Sequence, residues 1–417
     1  MKKVSLLIGP INQLVTAKSM PWRYGNDPLI LENAGVAVDG EKILDVGPWD
    51  KISKEYQGKC GIPAEDNLVT AGLVDPHTHL LFAGSREDEL ELKLQGVPYE
   101  EILRRGGGIY RTVNTTVSAS DGELKKTLLN RLFEVTKYGT TTIEVKSGYG
   151  IHPSQEIRLL RIINDASLGA PLDVVPTFLV HVPPRDMDRN EYIKAIVASL
   201  DQIRGLAKFV DVFCDEGAFF VAETREILRE SSLRGFGLRL HADEIAYIGC
   251  SDLAREFDLS SIDHLLNLPE RNVDLLSSRN TVATLLPITV LSLMTNKRPP
   301  IRRLREAGVP IALGSDFSPN SWSLNMQYVM ELATYLLGMT PIEVLMASTV
   351  NAAYSLGFRD RGIVQPGYLA DLVIWDVPNY RWLSYELGRN KALVVVKRGR
   401  ILESTPMGTA ISKECEY

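Results

Sequence analysis

The sequence predicts an α/β fold, namely a (β/α)8 TIM barrel with a small composite β-sandwich domain formed from both chain termini. Two observations lead to this prediction. Between residues 66 and 359, short apolar strands alternate with helical segments. Residues 1–65 and 360–417 instead carry short strands and turn signals. We therefore assign 1–65 plus 360–417 to the composite domain and 66–359 to the barrel.

The two terminal regions share the same strand-and-turn pattern. Residues 36–47 predict a hairpin with Asp39-Gly40 as its turn. Near the other end, residues 371–375 and 392–396 are strand-like, and residues 397–400 form a turn signal. Chain termini often lie close together, so one domain built from both is geometrically simple.

The middle of the chain contains eight strand candidates. Most are continuous runs of β-branched or apolar residues, as expected for parallel strands buried on both faces. They are Leu73–Thr78, Thr141–Lys146, Val174–His181, Phe209–Cys214, Leu238–Asp243, Ser261–Leu266, Thr281–Pro287 and Ile311–Asp316. Eight such units match a barrel that typically takes about 250 residues.

Helical segments lie between several of these strands. Examples are Glu156–Ala166 and Pro299–Ala307, and a later helix opens with a capping box at Thr340–Glu343. The segment Phe82–Ser120 is long for a connection after the first strand, so it is expected to hold a helix and substrate contacts. Its glycine run, residues 106–108, follows no strand and therefore does not indicate a dinucleotide site.

The composition is that of an ordinary soluble protein, with 45% hydrophobic residues, 24% charged residues and a net charge of -6. It gives no basic surface for nucleic acid or for an anionic membrane. No stretch approaches membrane-spanning length. The four cysteines contain no CxxC pair, so we expect reduced thiols and a cytoplasmic location.

Histidine gives the strongest functional signal. His77 and His79 are two residues apart in a strand, so both imidazoles point to the same face. His181, His241 and His264 also lie at strand ends, which form the active-site face of such barrels. A single histidine on an apolar strand is more often a core residue. Five of the six histidines on one rim favour a site.

A metal centre is the simplest use of these residues. His77, His79, His241 and Asp316 would hold one divalent metal ion per subunit, zinc or iron (Zn²⁺ or Fe²⁺/Fe³⁺). The alternative for Asp316 is a helix N-cap. The ion would lower the pKa of a bound water toward ~7.

Three residues are catalytic candidates. Glu244 would accept a proton or donate one to a leaving nitrogen. His264 would polarise the attacked carbonyl, and Asp316 would carry a proton as well as contact the metal.

These motifs together resemble the amidohydrolase superfamily. Dinuclear members use a strand-four lysine or carboxylate as a bridge, and strand four here ends without a lysine, which favours one metal. Residues 75–86, 106–109, 139–150, 211–217 and 283–287 further resemble the imidazolonepropionase family. This resemblance implies metal-dependent hydrolysis of 4-imidazolone-5-propanoate to N-formimidoyl-L-glutamate in histidine degradation.

The resemblance also implies substrate contacts. Arg86 would bind the carboxylate tail of the substrate, because a guanidinium pairs with carboxylates in a bidentate way. Tyr149, His181 and Glu244 would contact the substrate as well. Without the motif, a surface arginine and a packed tyrosine would be the preferred interpretations.

One segment departs from the family pattern. Members usually show Asp-Phe-Asn-Pro-Gly-Ser on strand eight, whereas residues 316–321 here read Asp-Phe-Ser-Pro-Asn-Ser. Ser318 thus replaces a product-contacting asparagine, Asn320 replaces the glycine, and Ser321 matches. Either Asn320 supplies the amide from a shifted position or the contact is lost.

Two other functions stay open on these residues alone. One is a deaminase of a heterocyclic base in the same superfamily, which would not need Arg86 for a carboxylate. The other is an inactive barrel that serves as an interaction protein. The expected partner is a small molecule with a carboxylate tail, without nucleic acid or membrane, and analogy with such barrels suggests a homodimer.

Overall fold

The computed structural model describes residues 1–97 and 99–404. These residues form fifteen strands: β1 (Lys2–Thr16), β2 (Leu29–Asp39), β3 (Lys42–Pro48), β4 (Tyr56–Ala71), β5 (Leu73–Asp75), β6 (Thr140–Lys146), β7 (Asp173–Val180), β8 (Phe209–Cys214), β9 (Gly237–Ala242), β10 (Leu259–His264), β11 (Val282–Leu285), β12 (Ile311–Leu313), β13 (Leu372–Trp375), β14 (Ala392–Lys397) and β15 (Arg400–Ser404).

The same residues form fifteen α-helices: α1 (Trp49–Glu55), α2 (Asp88–Leu94), α3 (Tyr99–Arg104), α4 (Ile109–Ser118), α5 (Asp121–Thr136), α6 (Pro153–Ser167), α7 (Arg189–Ser199), α8 (Val221–Leu233), α9 (Glu270–Arg279), α10 (Pro287–Ser292), α11 (Ile301–Glu306), α12 (Met326–Leu337), α13 (Pro341–Ala347), α14 (Val350–Ser355) and α15 (Trp382–Tyr385). Short 3-10 helices cover Leu200–Ile203 and Ser251–Arg255.

Strands β5 to β12 form a parallel sheet in chain order, and they correspond to the eight predicted strands. The sheet closes beyond its first and last strands. The amide of His79 donates to the carbonyl of Phe317 at 2.9 Å, and the amide of Asp316 donates to the carbonyl of His77 at 3.0 Å. The predicted barrel is therefore confirmed, and its closure brings two predicted metal ligands, His77 and Asp316, side by side.

The other sheet combines strands from both ends of the chain, in the order β15-β14-β13-β4-β1-β2-β3. Strands β1 and β4 pair in parallel, and the other neighbours are antiparallel. The predicted hairpin is present, with Asp39 opposite Lys42. A separate apolar core that includes Leu6, Ile8, Val36 and Val394 lies on this sheet, so the predicted additional β-domain is confirmed.

An ionic cluster joins this sheet to the barrel. Asp173, the first residue of β7, contacts Arg361, Lys397 at 2.9 Å and Arg398 at 3.0 Å. We call these four residues the junction cluster. Burial raises the pKa of Asp173, but the charges of Lys397 and Arg361 outweigh it and lower that pKa to about 2.

Helix starts follow the predicted chemistry. Thr340 caps α13, since its amide donates to the Glu343 carboxylate at 2.7 Å, and Pro341 takes the first helical position. Across 1–97 and 99–404, the helices are all too short or too polar to cross a membrane.

The prediction of reduced thiols is wrong. Cys214, the last residue of β8, is disulfide-bonded to Cys250, with 5.7 Å between their Cα atoms, and Cys60 is also disulfide-bonded. Cys214 and Cys250 are 36 positions apart in the sequence. Because β8 and β9 are neighbouring strands, the segments that follow them meet. The absence of a CxxC motif excludes only a disulfide between cysteines that are close in sequence. A cross-link of this span stabilises a fold by roughly 2–4 kcal/mol.

Candidate metal centre and substrate pocket

The four predicted ligands converge at the carboxyl end of the barrel. His77, His79 and His241 are buried, and each offers a ring nitrogen within 4.8 Å of the other two. Asp316 Oδ1 lies 3.5 Å from His77 Nε2 and 3.3 Å from His79 Nε2. The Asp316 carboxylate therefore lies beside two of these histidines, across the barrel closure.

The spacing of these atoms fits a metal ion. Ligand atoms about 2.1 Å from a tetrahedral ion are about 3.4 Å from each other. The two Asp316 contacts have this separation, and so do His241 Nε2 and His79 Nε2 at 3.5 Å. Within the described residues, His77 Nε2 has no hydrogen-bond partner although it is buried. A buried nitrogen without a hydrogen-bond partner among these atoms fits the role of a metal ligand.

Two of the histidines are oriented by carboxylates behind them. His77 Nδ1 donates to Asp263 Oδ2 at 2.6 Å, and His241 Nδ1 donates to Asp211 Oδ1 at 3.0 Å. A proton fixed on Nδ1 leaves the Nε2 lone pair free for a metal. Burial raises the pKa of Asp211, but the charge of Lys146 and the hydrogen bond with His241 keep it well below its usual range.

Below the ligands lies a group of charged side chains that are fully buried. We call it the central ion cluster, and it consists of Glu144, Lys146, Asp211, Arg239 and Asp263. Lys146 Nζ lies 2.6 Å from Asp211 and 2.7 Å from Glu144. Arg239 lies 3.3 Å from Asp263 and 3.2 Å from Glu144. Charges this deep are tolerated only when they are paired.

The backbone turns sharply at three site residues. Asp243, His264 and Asp316 have φ values of 56°, 77° and 51°. Such left-handed conformations cost about 1–3 kcal/mol for residues other than glycine and concentrate at functional sites. The three residues lie at or shortly after the ends of β9, β10 and β12. Asp316 is not a helix cap, because α12 begins later with Asn325 at its N-cap.

Glu244 follows β9 and is held by its backbone. Asp215 accepts hydrogen bonds from the amides of Glu244 at 2.7 Å, Ile245 at 3.0 Å and Ala246 at 2.9 Å. The Glu244 carboxylate lies 3.6 Å from His264 Nε2. Burial, together with the negative charges of Asp316 and Asp215, raises the pKa of Glu244 to about 8. A carboxyl group with this pKa can exchange a proton near neutral pH.

His264 ends β10 beside the metal ligands. Its ring centroid is 5.3 Å from that of His241 and 5.6 Å from that of His77. Burial lowers the pKa of His264 to about 4, so the imidazole is neutral at pH 7. A neutral imidazole retains one N–H group for donation to a carbonyl oxygen.

The other oxygen of Asp316 is anchored by a hydroxyl. Thr289 Oγ1 donates to Asp316 Oδ2, and Ser321 Oγ lies 3.3 Å from Thr289 Oγ1. Ser318 Oγ accepts hydrogen bonds from the amides of Asn320 and Ser321. Ser318 and Ser321 therefore shape the turn after Asp316.

Tyr149 and His181 form one wall of the site. The His181 ring stacks on His79 with centroids 5.2 Å apart, and the Tyr149 ring lies 5.4 Å from His181. Burial and the neighbouring His79 lower the pKa of His181 to about 3. Both predicted substrate contacts thus lie next to a metal ligand.

Arg86 lies in the connection after β5 and is only 6% exposed. Its Nη1 is 4.0 Å from Glu89 Oε2. Among the residues with described structure, Arg86 Nε and Nη1 have no hydrogen-bond partner. Glu89 Oε1 accepts from the amide of Gly108 at 2.7 Å, and Gly108 has a φ of 68°, which suits glycine. The predicted glycine run therefore fixes Glu89 beside Arg86.

Asn320 accepts a hydrogen bond from a lysine near Arg86. Lys93 Nζ donates to Asn320 Oδ1 at 3.1 Å, and burial together with the charge of Arg86 lowers the pKa of Lys93. Asn320 stands at the family's glycine position, and its side chain is therefore held by Lys93. Its amide nitrogen projects from a side chain that this lysine holds in place.

Several of these residues were not singled out as site residues from the sequence. Asp211, Arg239 and Asp263 lie inside strands that otherwise read as apolar. A charged residue two positions before another inward-facing residue, as Arg239 is before His241, was the available signal. Asp215, Thr289 and Lys93 act through tertiary contacts that no local pattern encodes.

Comparison with known proteins places this geometry in context. Residues 100–402 match the model of the amidohydrolase family. The chain is 56% identical over 390 residues to an imidazolonepropionase of Pyrobaculum arsenaticum, covering 94% of this chain and 98% of that protein. It is 38% identical to an imidazolonepropionase of Alkaliphilus oremlandii, with 96% and 98% covered.

Solved structures share the architecture at lower identity. A zinc-bound adenosine deaminase from Xanthomonas campestris superposes with a TM-score of 0.72 at 18% identity, covering 96% of this chain and 93% of that one. At this identity the match speaks for the fold alone.

Proposed function

Because this chain belongs to the amidohydrolase family and, within it, to the imidazolonepropionases, we propose that it hydrolyses 4-imidazolone-5-propanoate to N-formimidoyl-L-glutamate in histidine degradation. The observation that carries the proposal is the pairing of a candidate metal-ligand shell with a buried arginine whose Nε and Nη1 lack hydrogen-bond partners among the described residues. A substrate with both a hydrolysable ring and a carboxylate tail uses both features.

His77, His79, His241 and Asp316 would hold one divalent ion, zinc or iron. When bound, the ion acidifies a water molecule and supplies a nucleophile near neutral pH. Zinc and iron both suit three imidazoles and one carboxylate, so the donor set is compatible with either.

The residues around this shell supply the remaining chemistry. His264 would donate an N–H group to the ring carbonyl oxygen and stabilise the negative charge that develops there. Glu244 would accept a proton from the attacking water and deliver it to the ring nitrogen as the carbon–nitrogen bond breaks. Asp316 is the second candidate for this proton transfer, because its Oδ1 faces the ligand shell.

The carboxylate tail would bind at Arg86, with Lys93 adding positive charge nearby. Asn320 would present its amide from the position where Lys93 holds it, and Ser318 and Ser321 would contribute through the shape of their turn. Tyr149 and His181 would pack against the ring.

The rival functions are less well supported. A deaminase of a heterocyclic base would not need the Arg86 subsite, and the sequence relatives with high identity are imidazolonepropionases. An inactive interaction barrel would be expected to lose ligands, whereas all four predicted ligands converge here.

We further propose a cytoplasmic enzyme that acts as a homodimer.

An ultraviolet assay of imidazolone propionate, with metal quantified in the same sample, tests the proposal. We expect turnover that depends on about one metal per subunit. Hydrogen bonds to charged groups contribute about 1.5–3 kcal/mol, so Arg86→Ala should raise KM about 10- to 150-fold.

Arg225→Ala, which removes an exposed arginine paired with Glu256, is the control and should leave KM unchanged. Metal-loaded protein that does not consume the compound would refute the proposal. An unchanged KM in Arg86→Ala would favour the deaminase.

A further inference from the structure

Lys146 occupies an unusual place beneath the candidate metal centre. It ends β6 within the 139–150 segment, its side chain is 0% exposed, and no catalytic step proposed above uses it. Its Nζ lies 2.6 Å from Asp211 Oδ2, 2.7 Å from Glu144 Oε2 and 4.0 Å from Asp263 Oδ2. One ammonium thus faces three carboxylates in the centre of the barrel.

Two of those carboxylates each orient a ligand histidine. Asp211 accepts from His241 Nδ1 at 3.0 Å, and Asp263 accepts from His77 Nδ1 at 2.6 Å. The oxygens of Asp211 are divided, since Oδ1 faces His241 and Oδ2 faces Lys146. If the ammonium were absent, the Asp211 carboxylate would be free to rotate, and His241 would lose its fixed acceptor.

The charge balance of the central ion cluster also indicates that Lys146 supports the metal centre. The three carboxylates of the central ion cluster exceed its two cations, Lys146 and Arg239, by one negative charge. Asp316 adds a second negative charge above them. A divalent ion would neutralise these two charges, whereas the loss of Lys146 would leave a third one uncompensated in a buried region.

We propose that Lys146 is a positioning residue for the metal centre, because it fixes the Asp211 carboxylate that orients His241 and adds positive charge 4.0 Å from the Asp263 carboxylate that orients His77. The inference rests on the metal centre of the proposed function. It makes no use of the substrate, so metal binding alone tests it.

The test compares two buried lysines. Lys146→Met removes the ammonium at the metal centre. Lys391→Met is the matched control, since Lys391 is equally buried and its Nζ lies 2.6 Å from Glu331, outside the central ion cluster. Both variants remove a buried ammonium and leave its carboxylate partners unpaired, so both are expected to lower the melting temperature of the metal-free protein.

Cobalt(II) is the probe, and chelator competition gives its Kd while the visible spectrum reports ligand geometry. Partners that orient metal ligands typically change affinity about 10- to 100-fold, so Lys146→Met should raise the cobalt Kd by that factor and shift the spectrum. Lys391→Met should leave the Kd and the spectrum as in the wild type. The same Kd and spectrum in Lys146→Met and wild type would overturn the inference.

A second variant covers the case in which Lys146→Met does not fold. Asp211→Asn interrupts the same chain of contacts between Lys146 and His241 with little change in size. It should weaken cobalt binding by a similar factor, and unchanged binding would likewise overturn the inference. Wild-type protein that binds no cobalt would instead refute the metal centre of the proposed function, and the inference with it.

Discussion

The central ion cluster and the junction cluster use the same kinds of residue in different surroundings. In the central ion cluster every side chain is fully buried, and two of its carboxylates bind ligand histidines. In the junction cluster, Asp173 is 27% exposed and Arg398 is 37% exposed, and the contacts connect the barrel to the terminal sheet. The two clusters therefore differ in burial and in the partners of their carboxylates rather than in residue type.

The difference shows what a carboxylate's partner decides. Asp263 faces His77 and orients a predicted metal ligand. Asp173 faces Lys397 and Arg361 and acts on the attachment of one sheet to another. We therefore expect changes near the first cluster to affect metal binding and catalysis, and changes in the second to affect stability.

The largest effect is expected from His77→Ala, at the top of the central ion cluster. Removing this ligand should abolish metal retention. The metal contributes several kcal/mol of charge stabilisation, so activity should fall more than about 10³-fold. Metal analysis and the turnover assay on one sample measure both. Full activity in a metal-free variant would contradict the assignment.

Glu244→Gln is expected to separate proton transfer from metal binding. The amide keeps the shape of the side chain but cannot accept a proton, so kcat should fall about 10²- to 10⁴-fold. Metal content should stay at the wild-type level. A wild-type kcat would transfer the proton role to Asp316.

Asp215→Ala tests whether a charge can serve catalysis without contacting a ligand. Losing the acceptor for three amides should let the Glu244 segment shift, and a misplacement of about 1 Å can cost about 10²-fold in kcat. Steady-state kinetics and cobalt affinity should show a lower kcat with an unchanged Kd. Weaker cobalt binding would mean that the segment also supports the metal.

The smallest effect is expected at the junction. The pKa of Asp173 is lowered to about 2, so its contribution to stability is present above about pH 4 and lost as the pH falls toward 2. Asp173→Asn should reduce the unfolding free energy by about 2 kcal/mol at pH 7 and flatten its dependence on pH between 4 and 2. Denaturant unfolding at several pH values measures this.

The turnover assay at pH 7 provides the comparison for Asp173→Asn. Its kcat should equal that of the wild type, because the junction cluster contacts no residue of the metal site. A large loss of kcat would show that the two clusters are coupled.

Local pattern was enough to predict the strands and the convergence of the candidate metal ligands. Apolar runs mark the barrel strands because parallel strands are buried on both faces, and the spacing of His77 and His79 follows from the pleat. The ligand side chains converge as predicted, while their roles in binding and catalysis stay predictions.

What could not be predicted depends on contacts between distant parts of the chain. Cys214 and Cys250 are far apart in sequence, and only the pairing of β8 with β9 brings their loops together. Lys93 and Asn320 meet across the pocket in the same way. Lys146 could be placed at a strand end with Glu144 on the same strand, but its other carboxylate partners, Asp211 and Asp263, come from two other strands.

The closure of the barrel gives the metal a second task. His77 and Asp316 are joined by a backbone hydrogen bond between the first and last strand ends, and both also face the ligand shell. An ion bound there would link the first and last strands of the barrel. Binding that favours the folded chain adds about 4 kcal/mol when the free ion exceeds its Kd a thousandfold. Chelation would then increase amide hydrogen exchange in β5 and β12 first. The metal would thus determine how often the barrel opens between its first and last strands.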